Sequence, residues 1–181
     1  MNGIGTQRIE TERLILRRFK EDDYKEVHKN WTTDSETCKY LSWDVHNNEE
    51  ETREFINSSI ARYEKEFWFD WVVVTKDKNE LIGEISCVKF SERHRLCEIG
   101  YCYGSKFWNK GYGTEALKAV IKYMLEKVQV DIAMACHTES NTASGRIMEK
   151  AGMKKDAVLP DYFVNKVTGE REGQVFYSIK R

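Results

Sequence analysis

The feature that most constrains the fold is a run of three strand-like segments followed at once by an amphipathic helix. The segments cover residues 68–75, 81–90 and 96–103, and the polar turns "KDKNE" and "SERHR" separate them. Short polar connections of this kind join antiparallel neighbours, so the segments predict an antiparallel meander. The helix has apolar residues at the spacing of one face. They are Leu117, Val120, Ile121, Met124, Leu125 and Val128. The sequence therefore predicts a sheet with a helix packed on it.

The rest of the chain adds elements on both sides of this run. Alternating apolar and polar residues over 14–19 predict a first strand, and a polar helix follows over 21–30. Asn47 or Asn48 can cap a second helix, whose acidic first turn suits the positive end of the helix dipole. A strand, a short helix and a closing hairpin complete the pattern, over residues 131–137, 141–150, and 158–167 with 174–180. Without a linker-like tract, the sequence predicts one α+β domain around a central sheet.

Charge and composition limit the class of function. Lys+Arg 29 against Asp+Glu 30 leaves a net charge of -1, which disfavours a nucleic-acid partner. The five cysteines form no C-x-x-C pair and fit a reducing compartment. The longest apolar runs, such as residues 71–74, are too short to cross a bilayer. We therefore expect a soluble cytoplasmic protein with no membrane or direct nucleic-acid partner.

Gly111 and Gly113 stand one residue apart where the chain enters the amphipathic helix. A backbone without side chains lets a ligand approach closely, and the first-turn N–H groups of a helix attract anions. The third glycine of a dinucleotide fingerprint is missing, and no Gly-Lys-Ser/Thr follows as in a P-loop. The two glycines predict an anion-binding loop, although a tight turn alone would also explain them.

The stretch from Trp108 to Gly113, "WNKGYG", resembles the signature of the GNAT superfamily of acyl-CoA N-acyltransferases. That signature has Gln or Arg, two free positions, Gly, one free position, and Gly or Ala. Trp108 replaces the first residue, as in the branch of ribosomal-protein N-terminal acetyltransferases. Four further stretches are similar to that branch: "IETERLILRRF", "CEIGYCYGSKFWNKGYGTEAL", "NTASGRIMEKAGM" and "DYFVNKVTGEREGQVFYSI". The resemblance implies a mostly antiparallel twisted sheet of about seven strands flanked by helices, in one domain over residues 9–181 after an extension over 1–8.

The resemblance also implies a cosubstrate, acetyl-CoA, with its pyrophosphate on the amides of the glycine loop, and it implies no metal. The pantetheine arm would run along residues 99–103 as an added strand does, and the thioester carbonyl would meet a backbone N–H near Tyr101 or Cys102. The implied cofactor-binding residues are Tyr101, Cys102, Tyr103, Trp108, Asn109, Lys110, Gly111, Tyr112, Gly113, Thr114 and Asn141. Of these, Lys110 is as readily explained as a solvated loop lysine.

The reaction needs an uncharged amine and a proton for the departing thiolate, so a base and an acid are sought. Relatives with this motif carry a catalytic glutamate at the position of Glu98, and Glu84 in "IGEIS" is the second choice. Ser144 is the implied acid, because it completes the N-x-x-S pattern begun by Asn141. Plainer interpretations remain open: carboxylates on the solvated face of a sheet, and an N-cap with a first-turn serine. His137 could relay a proton or be an ordinary strand-end histidine.

The amine acceptor of this family lies opposite the cofactor, beneath the first two helices and the closing hairpin. Acidic and aromatic residues of that region suit a cationic amine, although a solvated helix end and a core would also explain them. They include Asp34, Glu36, Asp44, Trp31, Tyr40, Trp43, Trp68 and Tyr162.

The function expected from the resemblance is an acetyl-CoA-dependent N-acetyltransferase of the ribosomal-protein-alanine type, acting on a protein N-terminus. Two alternatives are an acetyltransferase of small amines, such as a polyamine, an amino acid or an antibiotic, and a sensor that binds acyl-CoA without turnover. The acceptor, the acyl-chain preference and the choice between monomer and homodimer stay open.

Overall fold

The computed structural model describes all 181 residues. The strands are β1 (Ile9–Glu10), β2 (Leu14–Arg17), β3 (Asp70–Thr75), β4 (Leu81–Ser91), β5 (Leu96–Tyr103), β6 (Ile132–Thr138), β7 (Lys154–Val164) and β8 (Arg171–Lys180). The helices are α1 (Tyr24–Val27), α2 (Ser35–Cys38), α3 (Glu49–Ile60), α4 (Tyr112–Lys122) and α5 (Thr142–Lys150). Tighter or wider helical turns extend α1 on both sides (Glu21–Asp23, His28–Thr32), precede α4 (Ser105–Phe107) and continue α4 (Tyr123–Val128).

All eight strands form one sheet in the order β1-β2-β3-β4-β5-β6-β8-β7. Every neighbouring pair is antiparallel except β5 and β6, which are parallel. The α+β class and the mostly antiparallel sheet are therefore confirmed. The expected count of about seven strands becomes eight because β1, a two-residue strand, carries too little alternation to be recognised.

The helices cover both faces of the sheet, and β3 shows how. Trp71 and Val73 point into a cluster of 27 buried residues, which includes the whole predicted apolar face of α4 and its extension. Val72 and Val74 point into a second cluster of 8 buried residues, together with Ile56 of α3. Because both faces of β3 are covered, the strand is buried along its full length and reads as an unbroken apolar run.

A gap opens in the sheet between the two parallel strands. The paired residues of β5 run only from Leu96 to Glu98, against Ile132 to Met134 of β6. Beyond Glu98, β5 continues to Tyr103, while β6 stays paired with β8 over its full length. The edge of β5 that faces β6 is therefore free of strand partners just where the chain approaches the glycine loop.

Three predicted boundaries differ from the structure. The short helix α2 lies in a stretch expected to be a loop, since four residues are too few to show helical periodicity. Helix α4 begins at Tyr112 rather than near Thr114, because Gly111 is its N-cap. The hairpin strands begin earlier than expected, at Lys154 and Arg171, because the first residues of β7 are exposed and polar and are held by backbone pairing.

The first eight residues lie against the domain. The indole nitrogen of Trp71 donates to the carbonyl of Gln7 at 2.7 Å, and the hydroxyl of Thr6 donates to the carbonyl of Trp68 at 2.9 Å. The amide of Asn2 donates to the carbonyl of Val128 at 2.8 Å. These contacts tie the segment to the start of β3 and the end of the α4 extension. No helix in the structure has the length and apolar character that a membrane crossing requires.

Candidate active site

The glycine loop, residues 109–114, contains two residues with left-handed backbone conformation, separated by Lys110, at the turn into α4. Gly111 has φ +80° and Asn109 has φ +60°. An asparagine tolerates this conformation, whereas other side chains adopt it at a cost of about 1–2 kcal/mol, which glycine avoids. The loop therefore needs glycine at position 111 for its backbone conformation as well as for access.

Six consecutive amides of this loop donate to no acceptor within the protein. They belong to residues 109–114, and the first amide that bonds back is that of Glu115, to the carbonyl of Gly111 at 3.1 Å. Such unpaired donors at a helix start, next to the positive end of its dipole, form an anion-binding site. The anion-binding loop expected from the sequence thus has its donors free.

The loop is fixed from outside by Arg13, at the start of β2. The carboxylate of Glu115 accepts from the Arg13 Nε at 2.7 Å, from its amide at 2.8 Å and from the Thr11 hydroxyl at 2.6 Å. Arg13 also donates to the carbonyl of Lys110 at 3.0 Å and lies 4.8 Å from the centre of the Tyr112 ring. Burial alone would raise the pKa of Glu115, but these hydrogen bonds outweigh it and hold the pKa below its usual value.

We expect Arg13→Lys to weaken acetyl-CoA binding roughly fivefold, about 1 kcal/mol, because lysine keeps the charge but cannot bridge Glu115 and the Lys110 carbonyl together. Isothermal titration calorimetry measures this loss. Arg8→Lys is the matched control, since Arg8 pairs with Glu10 at 2.9 Å on the exposed surface. An affinity unchanged in Arg13→Lys would show that the bridge does not order the loop.

The loop opens into a cavity of about 470 Å³ between β5, α2 and the start of α5. Most of the residues expected to bind the cofactor line it: Tyr101, Cys102, Tyr103, Trp108, Asn109, Gly111, Tyr112, Gly113, Thr114 and Asn141. Ser144 also lines it. Lys110 does not; its ammonium lies 5.5 Å from the centre of the Phe107 ring.

The free edge of β5 presents specific backbone groups to the gap. The amide of Gly104 donates to the carbonyl of Ile82 at 3.1 Å, so Gly104 and, two residues before it, Cys102 face β4. Hydrogen-bonding direction alternates along an antiparallel strand, so the amides of Tyr101 and Tyr103 point toward the gap. Of the two expected oxyanion donors, Tyr101 rather than Cys102 has its N–H on the open side.

Two hydroxyl groups meet across the cavity, which the sequence alone did not predict. The hydroxyls of Tyr101 and Ser144 are 2.9 Å apart, and that of Tyr101 lies 3.1 Å from the Ser144 carbonyl oxygen. Asn141 caps α5 by accepting from the Ser144 amide at 3.3 Å, which fixes the serine. Burial raises the pKa of Tyr101, so the phenol keeps its proton at neutral pH. The i, i+2 alternation of β5 could have placed the tyrosine on this face, but not its contact.

Glu98 lies apart from the cavity lining, on the opposite face of β5 from Tyr101. Its carboxylate accepts from the Lys89 ammonium at 2.9 Å and from the Cys136 thiol at 3.4 Å. Glu84 of β4 is on the same face and is opposite Cys102 in the strand register. Both expected carboxylates therefore lie on the face of the sheet opposite Tyr101, and neither lines the cavity.

His137 lies away from the cavity and packs in the core. A side chain on Gly145 would start 2.6 Å from its Nε2, and its ring centre is 5.7 Å from that of Tyr177. Its Nδ1 contacts the Thr138 carbonyl at 2.7 Å. The structure thus gives this residue a packing position rather than a position in the cavity.

The residues expected around the acceptor divide into core and surface positions. Trp31 is fully buried in the smaller cluster, and Asp34 caps α2 while accepting from the Ser105 amide at 2.8 Å. Tyr40 lines the cavity. Asp44 binds the ammonium of Lys166 at 2.9 Å, which joins the loop before α3 to the tip of the closing hairpin.

A glycine loop with free amides, beside a cavity and a split sheet edge, fits the cosubstrate expected from the sequence, acetyl-CoA. The profile described as "Acetyltransferase (GNAT) domain" matches residues 13–154, so the chain belongs to the GNAT family of acetyltransferases. Its activity is acetyl-CoA-dependent N-acetyl transfer.

Three similar proteins illustrate the relationship. The uncharacterized N-acetyltransferase YnaD of Bacillus subtilis is 31% identical over 148 residues, 82% of this chain and 83% of that protein. A crystal structure of a GNAT-family acetyltransferase from Bacillus anthracis is 31% identical, with a TM-score of 0.83, and covers 96% of this chain and 98% of its own. The ribosomal protein uS5-alanine N-acetyltransferase of Escherichia coli is 33% identical over 90 residues, 49% of this chain and 46% of that protein.

Proposed function

We propose that this enzyme acetylates the N-terminal amine of a protein, with acetyl-CoA as the donor. The observation that carries the proposal is the carboxyl-rich face of β3, β4 and β5 opposite the cofactor cavity, where Asp70, Glu84 and Glu98 lie. Lys89 is the one cation paired with them, and its side chain is 70% exposed. Carboxyls on this side of the sheet suit a cationic primary amine, although Asp70 itself is buried and only Glu84 and Glu98 are partly accessible. The similarity to the uS5-alanine enzyme supports a peptide as the carrier of that amine.

The residues present fit acetyl-CoA at the glycine loop. Six free amides match a diphosphate, and added side chains at Gly111 or Gly113 would crowd Arg13 or the cavity residues Ile147 and Tyr103. When bound, acetyl-CoA supplies an acetyl group activated as a thioester. The free edge of β5 would hold the amide-containing arm as an added strand.

Different residues of the chain then carry out the separate steps of acetyl transfer. The Tyr101 amide, on the open side of β5, stabilises negative charge developing on the carbonyl oxygen. The hydroxyl of Ser144, paired with that of Tyr101, donates a proton to the departing sulfur. A carboxyl of the acidic face, Glu98 or Glu84, accepts the proton of the incoming ammonium, because only the neutral amine can attack.

An acceptor panel tests the proposal. Peptides with free N-terminal Ala, Ser or Met and a set of small amines are compared by thiol release, and mass spectrometry locates the acetyl group. We expect kcat/KM for the preferred peptide to exceed that of each small amine at least tenfold, with the acetyl group on the N-terminal nitrogen.

The matched control is the same peptide with a blocked N-terminus and a free lysine side chain, which should give no product. Turnover of a small amine alone would replace the proposed acceptor with a small molecule. Binding of acetyl-CoA without thiol release from any acceptor would favour the sensor.

A further inference from the structure

We propose that Glu84 is the group that takes the proton from the acceptor amine and that Asp70 behind it holds that proton, so that the two carboxyls act as one relay. The inference rests on the proposed function only in needing an amine acceptor, whatever molecule carries it.

The two carboxyls are neighbours on adjacent strands. In the register of β3 and β4, Asp70 is opposite Ser86 and Val72 is opposite Glu84, so Asp70 and Glu84 are diagonal neighbours on one face. Asp70 is 1% exposed, whereas Glu84 is half-buried. The pair therefore has a deep member and an outer member.

The buried oxygen Oδ1 of Asp70 has no hydrogen-bond partner. A buried polar atom without a donor costs about 1–3 kcal/mol, so such atoms are rare unless something completes them. A proton on Glu84 supplies the missing donor, as two adjacent carboxyls that share one proton do. One proton shared between Asp70 and Glu84 therefore explains the unpartnered oxygen.

Burial and the neighbouring charges also favour one proton on the pair. Burial raises the pKa of Glu84 well above its usual range, and the charge of Asp70 adds to the effect. Burial raises the pKa of Asp70 to about 6, opposed by the nearby polar side chains of Ser59 and Glu84 and by the charge of Arg62. The other titratable groups facing the pair are Tyr63 and Cys102, whose pKa values burial raises, so both stay neutral.

Glu84, the outer member, is the strand neighbour of a residue that lines the cavity. Cys102 is opposite Glu84 in the β4–β5 register and also lines the cofactor cavity. Glu98, which like Glu84 lies outside the cavity lining, is held by Lys89 at 2.9 Å. Lys89 thus occupies the Glu98 carboxylate, whereas no cation is paired with Glu84, whose pKa burial raises well above its usual range. The position and surroundings of Glu84 therefore suit proton acceptance better than those of Glu98.

The proton balance closes without another reactant. An N–H bond of the ammonium breaks as an O–H bond forms on Glu84, while the proton that Glu84 carried moves to Asp70. The ammonium becomes a neutral amine, and the singly charged pair becomes neutral. The second N–H proton, released as the amide forms, replaces the proton that Ser144 gives to the sulfur, and after the thiol and the amide leave, the pair returns one proton to water.

The pH dependence of turnover tests the relay, using whichever amine the wild-type enzyme acetylates fastest. We expect kcat of the wild type to fall below about pH 6, as the pair becomes fully protonated. Glu84→Gln should lower kcat at least tenfold and remove this acidic limb. Asp70→Asn should lower kcat several-fold and move the limb to higher pH, because Glu84, whose pKa burial raises well above its usual range, then ionises without a partner to share the remaining proton. Acetyl-CoA affinity should stay within twofold in both variants.

Glu98→Gln is the matched comparison, and it should leave the position of the limb unchanged. Loss of the limb in Glu98→Gln, or a wild-type limb in both Glu84→Gln and Asp70→Asn, would overturn the relay while leaving the acceptor proposal intact. A panel that identifies a small amine would overturn only the acceptor proposal.

Two further measurements need no acceptor. NMR titration of carboxyl-labelled enzyme should show Glu84 protonated at pH 7, and ordinary titration of both carboxyls below pH 5 would contradict the pair.

Since the folded-state pKa of Asp70 is above its usual value, the pair lowers the stability of the fold as the pH rises through about 6. Asp70→Asn should therefore melt no lower than wild type at pH 8, whereas a purely structural aspartate predicts a lower melting temperature.

Discussion

Gly111→Val is expected to weaken acetyl-CoA binding at least a hundredfold, about 2.7 kcal/mol. The left-handed φ of +80° at this position is strongly disfavoured for a β-branched residue. The added Cβ would also start 3.3 Å from a guanidinium nitrogen of Arg13, the residue that fixes the loop. The loop would relax toward ordinary dihedral angles, and its six amides would no longer converge on one anion.

Calorimetry on Gly111→Val measures the loss, with Gly169→Val as the matched control. Gly169 has φ +73° in the turn of the closing hairpin, and nothing lies within 4 Å of an added Cβ. The control therefore carries a comparable backbone cost away from the cavity and should bind acetyl-CoA normally. Normal binding by Gly111→Val would refute the role of the loop.

Gly113→Ala separates close approach from backbone strain, because Gly113 does not have a positive φ. Its added Cβ would start 2.9 Å from the Ile147 Cδ1 and 3.2 Å from the Tyr103 ring, two residues that line the cavity. We expect a loss of affinity of no more than about threefold by the same titration, because the Ile147 Cδ1 is the free end of a side chain that can move and the family signature allows alanine at this position.

The second large effect is expected from the hydroxyl pair. Ser144→Ala and Tyr101→Phe should each lower kcat about a hundredfold, within the range of general acid catalysis, with little change in acetyl-CoA affinity. The two hydroxyls are 2.9 Å apart, so they act as one donor unit. The double variant should therefore be little slower than either single variant, as for other coupled catalytic groups.

Single-turnover kinetics measures the chemical step of these variants directly. Ser140→Ala is the control, since this hydroxyl also borders the cavity but is 3.3 Å from that of Thr138 and not near Tyr101. It should retain wild-type kcat. Unchanged rates in Ser144→Ala would remove the serine from the mechanism. If the loss of kcat in the double variant equals the product of the two single losses, the two hydroxyls act independently.

The regular part of the fold was predictable because periodic burial leaves a periodic pattern. The apolar face of α4 and its extension is buried as the spacing indicated. The bounds of β5 match the expected 96–103, since a half-buried strand alternates. Gly111 and Gly113 identified the loop, because few other residues permit its conformation and its open backbone.

The parts that could not be predicted depend on contacts between distant segments. No local pattern relates Arg13 to Glu115, or Tyr101 to Ser144, since only the packing of strands and helices brings them together. Glu84 was recognised as a candidate base, but its buried partner Asp70 was not, because a carboxylate at the start of an apolar strand carries no periodic signal. Helix α2, which supplies Thr37 to the cavity, is too short to predict.

The most direct test of the central claim is an NMR titration of ¹⁵N-labelled enzyme with coenzyme A, following the backbone amides of residues 109–114. These six signals are expected to shift together and to saturate with the binding curve, because their N–H groups donate to the diphosphate. Saturable binding that leaves these six signals in place, while amides elsewhere move, would contradict it.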